Sequence, residues 1–482
     1  MPSTFTTLEI GKSALIASRH AMDVTGHNIA NAATPGYSRQ RVNLEPIIQR
    51  LPLGVGVSGM GVKVTDVTRI RDRFVDAVLR NEQEKKAALA IQKEVFEHMQ
   101  IVFAEPSDSS IRDSMDFFWA AWHDLSSEPD SASARAQLLE AGRSLCDLLR
   151  HLGSQLDSLT VDLENGIDAT VAKVNMLAQR VSSLNVEISR ALARKEPVAD
   201  LLDRRDLLLD ELAGLTGATV NYLDDGTVQV NLGGVRLVDG AKHYGLGSEF
   251  TPEGVKFHVI TGPNDLDKIN LDSMGGSLGG HKVARDDVVL RFRQQLSESV
   301  RKVIDGINII HESNMDNDPT KKGIPFFEFG DDILATIEVH HLIIQDPGNN
   351  IRTQLTSGDP LDGSIALAIA DFIEGTHNDY LEHLAGLDSL FQVSDGDFTE
   401  KWVAIVGALG IDAQKVESAF DTQELLVKEL ENRKDSISGV SLDEEITNLI
   451  REQHAFNAAS RVITVADEML DTIINRMGLG GR

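Results

Sequence analysis

A single cysteine, Cys146, stands among 482 residues, so no internal disulfide can brace the fold. Basic residues are scarce beside acidic ones: 46 Lys and Arg face 74 Asp and Glu, a formal charge of −28. A surface that acidic repels phosphate backbones and anionic lipid, which argues against nucleic acid and membrane insertion as partners. No apolar run approaches the ~18 residues that a membrane span needs. Aromatic residues are only 5% of the chain, so its cores must be mainly aliphatic. Met1 to Glu9 has no basic stretch leading into an apolar one, so no secretory signal peptide is expected. What remains is an ordinary globular composition of a size that suggests about three domains.

Heptads are what the sequence has in plenty. Leu138, Leu145, Leu149, Leu152, Leu156, Leu159 and Leu163 alternate steps of four and three, with Gly142 filling one slot. An extra step of four to Ile167 is a stutter, and the stripe resumes at Val174, Leu177, Val181, Leu184 and Ile188. One continuous helix and a hairpin turning near Asn165-Gly166 both fit.

Both chain ends read as long helices. Thr6 to Glu9 and Ser441 to Glu444 each match a capping box. The first helix carries two apolar rows. One is Ile10, Ala14, Ala17, Ala21 and Val24; the other is Leu8, Leu15, Met22 and Ile29. The last helix carries Leu442, Ile446, Leu449, Phe456, Ile463, Leu470, Ile474 and Met477. Apolar surface on more than one side predicts several neighbours for each helix. An isolated subunit covers only part of that surface, so these helices are expected to fold fully only on assembly.

The middle is different. Thr219 to Leu223, Val228 to Leu232, Val235 to Leu237 and Val255 to Val259 alternate around glycine turns, an antiparallel meander. The fold expected is mainly α: a long coiled-coil-like helical bundle formed by both chain ends, with a smaller antiparallel β-rich domain inserted. The divisions expected are a terminal helical domain (1–45 and 438–482), a helical-bundle domain (46–216, 286–312 and 363–437) and a β-rich outer domain (217–285 and 313–362).

Candidate chemistry fails its context tests. Gly54 to Gly59 spells G-x-G-x-x-G, but Val62, Val64 and Val67 continue as extended chain and no helix opens before about Arg71. Asp203, Asp206 and Asp210 share a helical face, read as a solvated one with local ion pairs to Arg204 and Arg205. His340-His341 and the His377/His383 pair lack the spacing and carboxylate company of a zinc helix. Asp316 to Asp318 opens like a calcium loop but has Lys321 and Phe327 where glycine and glutamate belong. Cys146 beside the leucine seam reads as a small buried hydrophobe. No catalytic residue, cofactor or metal is expected.

The run His27-Asn28-Ile29-Ala30-Asn31-Ala32-Ala33-Thr34-Pro35-Gly36-Tyr37-Ser38-Arg39-Gln40 resembles the N-terminal signature of bacterial flagellar axial proteins. Pro35 disfavours helix at Thr34, and Gly36 permits the turn that redirects the chain. Its ending, with Leu201 to Leu212, Ser438 to Glu445, and Ile450 to Thr472, narrows the resemblance to the first hook-associated protein family. His454 and Phe456 stand where relatives more often carry Gln and Tyr. The resemblance implies a structural protein exported by the flagellar type III apparatus and located at the hook–filament junction. It implies self-assembly as a ring, hook protein below, the second junction protein above, and an export chaperone on the C-terminal region. The residues expected to serve assembly are Leu8, Leu15, Met22, Asn28, Ile29, Asn31, Thr34, Pro35, Gly36 and Tyr37. With them go Leu442, Ile446, Leu449, Gln453, Phe456, Ile463, Leu470 and Ile474. A hook or distal-rod protein, or a flagellum-borne hydrolase, is the alternative. The long leucine-seam helices speak against the former, the absence of a clefted carboxylate pair against the latter.

Overall fold

The computed structural model describes residues 4–50, 57–103, 111–262, 268–271, 273–313, 323–354, 361–374 and 398–472. Long helices dominate. Helix α1 (Thr4–Ala30) is followed by a hairpin of β1 (Gln40–Arg50) and β2 (Val57–Arg69), then α2 (Arg73–Phe103), α3 (Ile111–Ser127), α4 (Ala132–Ala193) and α5 (Ala199–Thr216). Strands β3 (Thr219–Tyr222), β4 (Val228–Leu232), β5 (Val235–Asp239) and β6 (Lys242–His243) form one antiparallel meander. Strands β7 (Gly245–Thr251), β8 (Gly254–Ile260) and β9 (Lys268–Leu271) form another. Helix α6 (Gly276–Val283) runs through a π-helical turn at Ala284–Val289 into α7 (Leu290–His311). Short elements follow: β10 (Phe327–Glu328), α8 (Ile333–Thr336), β11 (Glu338–Val339), α9 (His341–Gln345), α10 (Pro347–Asn350) and α11 (Ser364–Glu374). Two long helices close the chain, α12 (Phe398–Ser438) and α13 (Leu442–Asp471).

The leucine seam decides the architecture. Helix α4 is unbroken for 62 residues, about 93 Å at 1.5 Å each, so no hairpin forms at Asn165-Gly166. Its Leu138-to-Leu163 half is buried with α2, α3, α7, α11 and α12; its Ile167-to-Val181 half is buried with α5 and both meanders. One helix therefore serves two aliphatic cores. Cys146 lies in the first, 2% exposed, and burial pushes its thiol up to about 12.

Three expected boundaries shift. Strand β1 crosses the 45/46 division, because the hairpin packs along α1: the Val62 amide donates to Ser13 Oγ, and Gly61, at φ +99°, sits against Ile10 and Ser13. Residues 276–285 are helical rather than part of the β insert. The segment 323–351 was expected with the β insert, yet Phe326, Phe327, Ile333, Leu334 and Ile337 complete the first core. Buried His311 pins it there, with Nδ1 bonded to the Ile324 carbonyl at 2.7 Å and Nε2 accepting from the Arg352 amide at 2.9 Å.

The capping boxes also differ from expectation. Helix α1 is already helical at Thr4, so Thr6 is interior. Ser441 does hold the N-cap position of α13, but its hydroxyl makes no capping bond, and Glu444 turns away to Arg39.

Candidate functional site

Helices α1 and α13 lie side by side, and small residues bring them close. Gly11 faces Ile463, Val462 and Ala459; a Cβ on it would stand 2.8 Å from Ile463. Ala17, Ala459 and Ala466 are buried. Of the positions expected to serve assembly, Leu8, Leu15, Met22, Ile29, Leu449, Phe456, Ile463 and Leu470 are half-buried on this pair. Leu442, Ile446 and Gln453 are exposed, and Ile474 lies outside the described residues. Further apolar side chains are uncovered: Phe5, Ile16, Ile450, Val462, Val465 and Met469, the last 52% exposed.

The pair meets the body at a polar joint built on the turn after α1. Thr34 N–H bonds to the Asn31 carbonyl and Tyr37 N–H to that of Thr34. Gly36 adopts φ +78°, and a Cβ there would meet Leu207 at 3.3 Å, so turn and packing both call for glycine. Thr34, Pro35 and Gly36 are exposed, and Asn31 is half-buried with its Nδ2 on the His27 carbonyl. The turn returns Tyr37 to Asn28.

Asn28 is 2% exposed and uses every polar atom. Its Nδ2 donates to the Gln40 carbonyl and to Glu445 Oε2, both at 2.9 Å. Its Oδ1 accepts from the Gln40 amide at 2.9 Å and from the Tyr37 hydroxyl at 2.7 Å. Burial, followed by the carboxylates of Asp200, Asp203 and Glu445, raises the Tyr37 phenol, which keeps it a proton donor. Arg39 clasps α13 through Glu445 at 2.7 Å and Glu444 at 2.8 Å, and its amide donates to the Ser438 carbonyl.

Below the joint the expected solvated aspartate face is buried instead. Asp203 and Asp206 are 6% and 1% exposed. Their partners are not Arg204 and Arg205 but the end of β2: Arg69 reaches both, at 2.7 and 2.8 Å, and Arg71 reaches Asp206 at 3.0 Å. Burial alone would raise the Asp206 carboxyl, yet the guanidiniums of Arg71 and Arg69 hold it below its ordinary value. Asp203 also accepts the Ser38 amide, so this network carries the turn directly. Asp210 adds Arg80 at 2.6 Å and Lys434 at 3.3 Å, tying α5 to α2 and α12. Arg205 points the other way, to the Gly226 carbonyl and Asn185.

Three family models match successive stretches. Residues 8–37 match a flagella basal body rod protein model, 96–327 the helical domain of flagellar hook-associated protein FlgK, and 435–477 a basal body rod protein C-terminal model. Flagellar hook-associated protein 1 of Bacillus subtilis is 29% identical, covering 100% of both chains. Over its whole length the chain is similar to the flagellar hook-associated protein 1 family. The protein of that name from Salmonella typhimurium is 24% identical over 96% of this chain and 98% of its own. The fold resembles that of a solved hook junction protein from Burkholderia pseudomallei, with TM-score 0.61 at 13% identity over 75% of this chain and all of the other.

Relatives of this kind are named as flagellar hook-associated proteins, and no helix among the described residues is long and apolar enough to cross a membrane. Gly54 to Gly56 lie outside the described residues; Val57 to Gly59 open β2, and the next helix begins at Arg73. His377, His383 and the Asp316 loop lie outside the described residues. The His340-His341 pair does gain a carboxylate, Glu328, from β10. The joint's other members, Arg39, Gln40, Arg69, Arg71 and Glu445, were not singled out as site residues. One signal was available: Arg69 and Arg71 are two apart in an extended stretch, so both face the same way.

Proposed function

We infer that this chain is a structural subunit of the bacterial flagellum that polymerises at the hook tip and joins hook to filament, supporting filament assembly and motility. It is exported and works outside the cell. Hook protein lies below it, the second junction protein above, and an export chaperone holds its C-terminal region beforehand. The role is mechanical and asks for no catalysis.

The observation that carries this reading is the terminal helix pair, which leaves Ile446, Ile450, Val465 and Met469 uncovered in a family of flagellar hook-associated proteins. Covering one such side chain is worth about 1.5–3 kcal/mol, so contacts repeated around a ring favour assembly strongly. The two meanders belong on the outside of that ring, and folding of the terminal pair is completed by its neighbours. Residues at the joint set the direction in which the pair leaves the body.

The test is complementation of a mutant lacking this protein with Ile450→Asp combined with Met469→Asp. Both side chains are already exposed, so the purified variant should match the wild type in helix content and stability. It should be missing from hook tips by immunogold microscopy, and filaments should not form. Normal incorporation would overturn the reading.

A further inference from the structure

We propose that Glu328, His340 and His341 form a binding site for a divalent transition-metal ion of the zinc class. The inference is independent of the junction role.

The three residues converge because the backbone around them is fixed. Strands β10 and β11 pair Phe327 with Val339 and Glu328 with Glu338, and buried Phe327 and Val339 lock that register. The His340 amide then bonds to the Phe326 carbonyl at 2.9 Å, continuing the pairing by one residue. Glu328 Oε1 accepts the His341 amide at 3.2 Å, which turns Oε2 toward both imidazoles. Oε2 stands 3.2 Å from His341 Nδ1 and 3.7 Å from His340 Nε2. The rings stack at 4.5 Å between centroids, and the three donor atoms lie within 4.8 Å of one another.

Bonds of about 2.0–2.1 Å in a tetrahedral zinc site put ligand atoms roughly 3.3 Å apart, so a small inward tilt of the rings closes the set. Two imidazole nitrogens and one carboxylate suit zinc and its neighbours, whereas calcium and magnesium demand oxygen. His341 is exposed, which gives an ion an entry path and leaves a coordination position open to solvent. The Leu342 amide donates to His340 Nδ1 across a long 3.3 Å. A metal on Nε2 moves the ring proton to Nδ1, so that weak bond is exchanged for the metal bond and the freed amide turns to water.

The full-length chain, stripped with chelator, is titrated with Zn²⁺ by calorimetry and with Co²⁺ by visible absorption. One saturable site is expected, with a Co²⁺ spectrum of four-coordinate nitrogen and oxygen ligation. His341→Ala, His340→Ala and Glu328→Gln should each weaken binding by at least about tenfold while circular dichroism stays unchanged. Other histidines remain in every variant, so binding that persists undiminished belongs elsewhere and overturns the proposal. Absence of saturable binding by the wild type overturns it equally.

Discussion

Asn28 Nδ2 donates to Glu445 Oε2 at 2.9 Å, a bond between residues 417 apart in the chain. It ties the end of the first helix to the start of the last at the place where both meet the body. Because Asn28 also serves Tyr37 and both backbone groups of Gln40, one side chain sets three segments against one another.

Removing that side chain should therefore cost more than one bond. Asn28→Ala leaves the Gln40 backbone groups and one Glu445 oxygen without partners in a closed setting. The expected loss is about 2–3 kcal/mol, read as a lower urea midpoint. Asn28→Asp should be worse, since a second carboxylate would face Glu445. A loss under about 0.5 kcal/mol, the size of ordinary surface changes, would show that the joint is not tightly held.

Asp203→Asn combined with Asp206→Asn tests the buried ionic layer. A solvated face would tolerate the pair with a modest stability loss. Here the change leaves Arg69 enclosed beside neutral amides, while Arg71 keeps Asp76 at 2.6 Å, so roughly 3 kcal/mol should be lost in chemical denaturation. Restoring a single carboxylate at position 206 should recover much of it, because both guanidiniums reach Asp206.

Acid should loosen the segment 323–351. Burial, foremost among its causes, lowers the His311 imidazole to about 4 in the fold, against its ordinary 6.5. A depressed folded value means that the stabilisation is whole above pH 6.5 and is lost as pH falls toward 4. About 3 kcal/mol is at stake across that window, since each pH unit between the two values is worth about 1.4 kcal/mol. Urea midpoints taken from pH 7 to 4 should fall accordingly. His311→Gln should flatten that slope, and an unchanged slope would refute the assignment.

Periodicity made the long helices legible and could not reveal what they touch. The Leu138-to-Leu163 seam, the alternation of the meanders and the burial of Cys146 follow directly from side-chain spacing. The partners of Asp203 and Asp206 come from the end of β2, 134 and 137 residues away, so helical spacing offered only the wrong neighbours, Arg204 and Arg205. The segment 323–351 departs from the expected β insert for a similar reason. Its strands are two residues each, and its buried Phe326, Phe327 and Ile337 carry no period that points to α7. The first meander's turn is tied down as well: Gly226 lies against Leu192 and its carbonyl holds Arg205, contacts that strand alternation does not announce. Within the signature, Pro35 and Gly36 announced a turn, but only the folded chain shows that the turn exists to bring Tyr37 and Gln40 onto Asn28.

Neighbouring subunits should cover the outer faces of the terminal pair. Cys146 is buried with its thiol pushed up to about 12, so the natural chain should be nearly silent to thiol reagents. A cysteine introduced by Val465→Cys reports on the pair, and one introduced by Glu253→Cys, on an exposed turn of the β insert, serves as reference. Labelling rates are compared between the free subunit and isolated flagella that contain it. Val465→Cys should label quickly in the free subunit and be protected in the flagellum, while Glu253→Cys labels in both. Equal, rapid labelling of Val465→Cys in both states would show that nothing covers the pair in the flagellum.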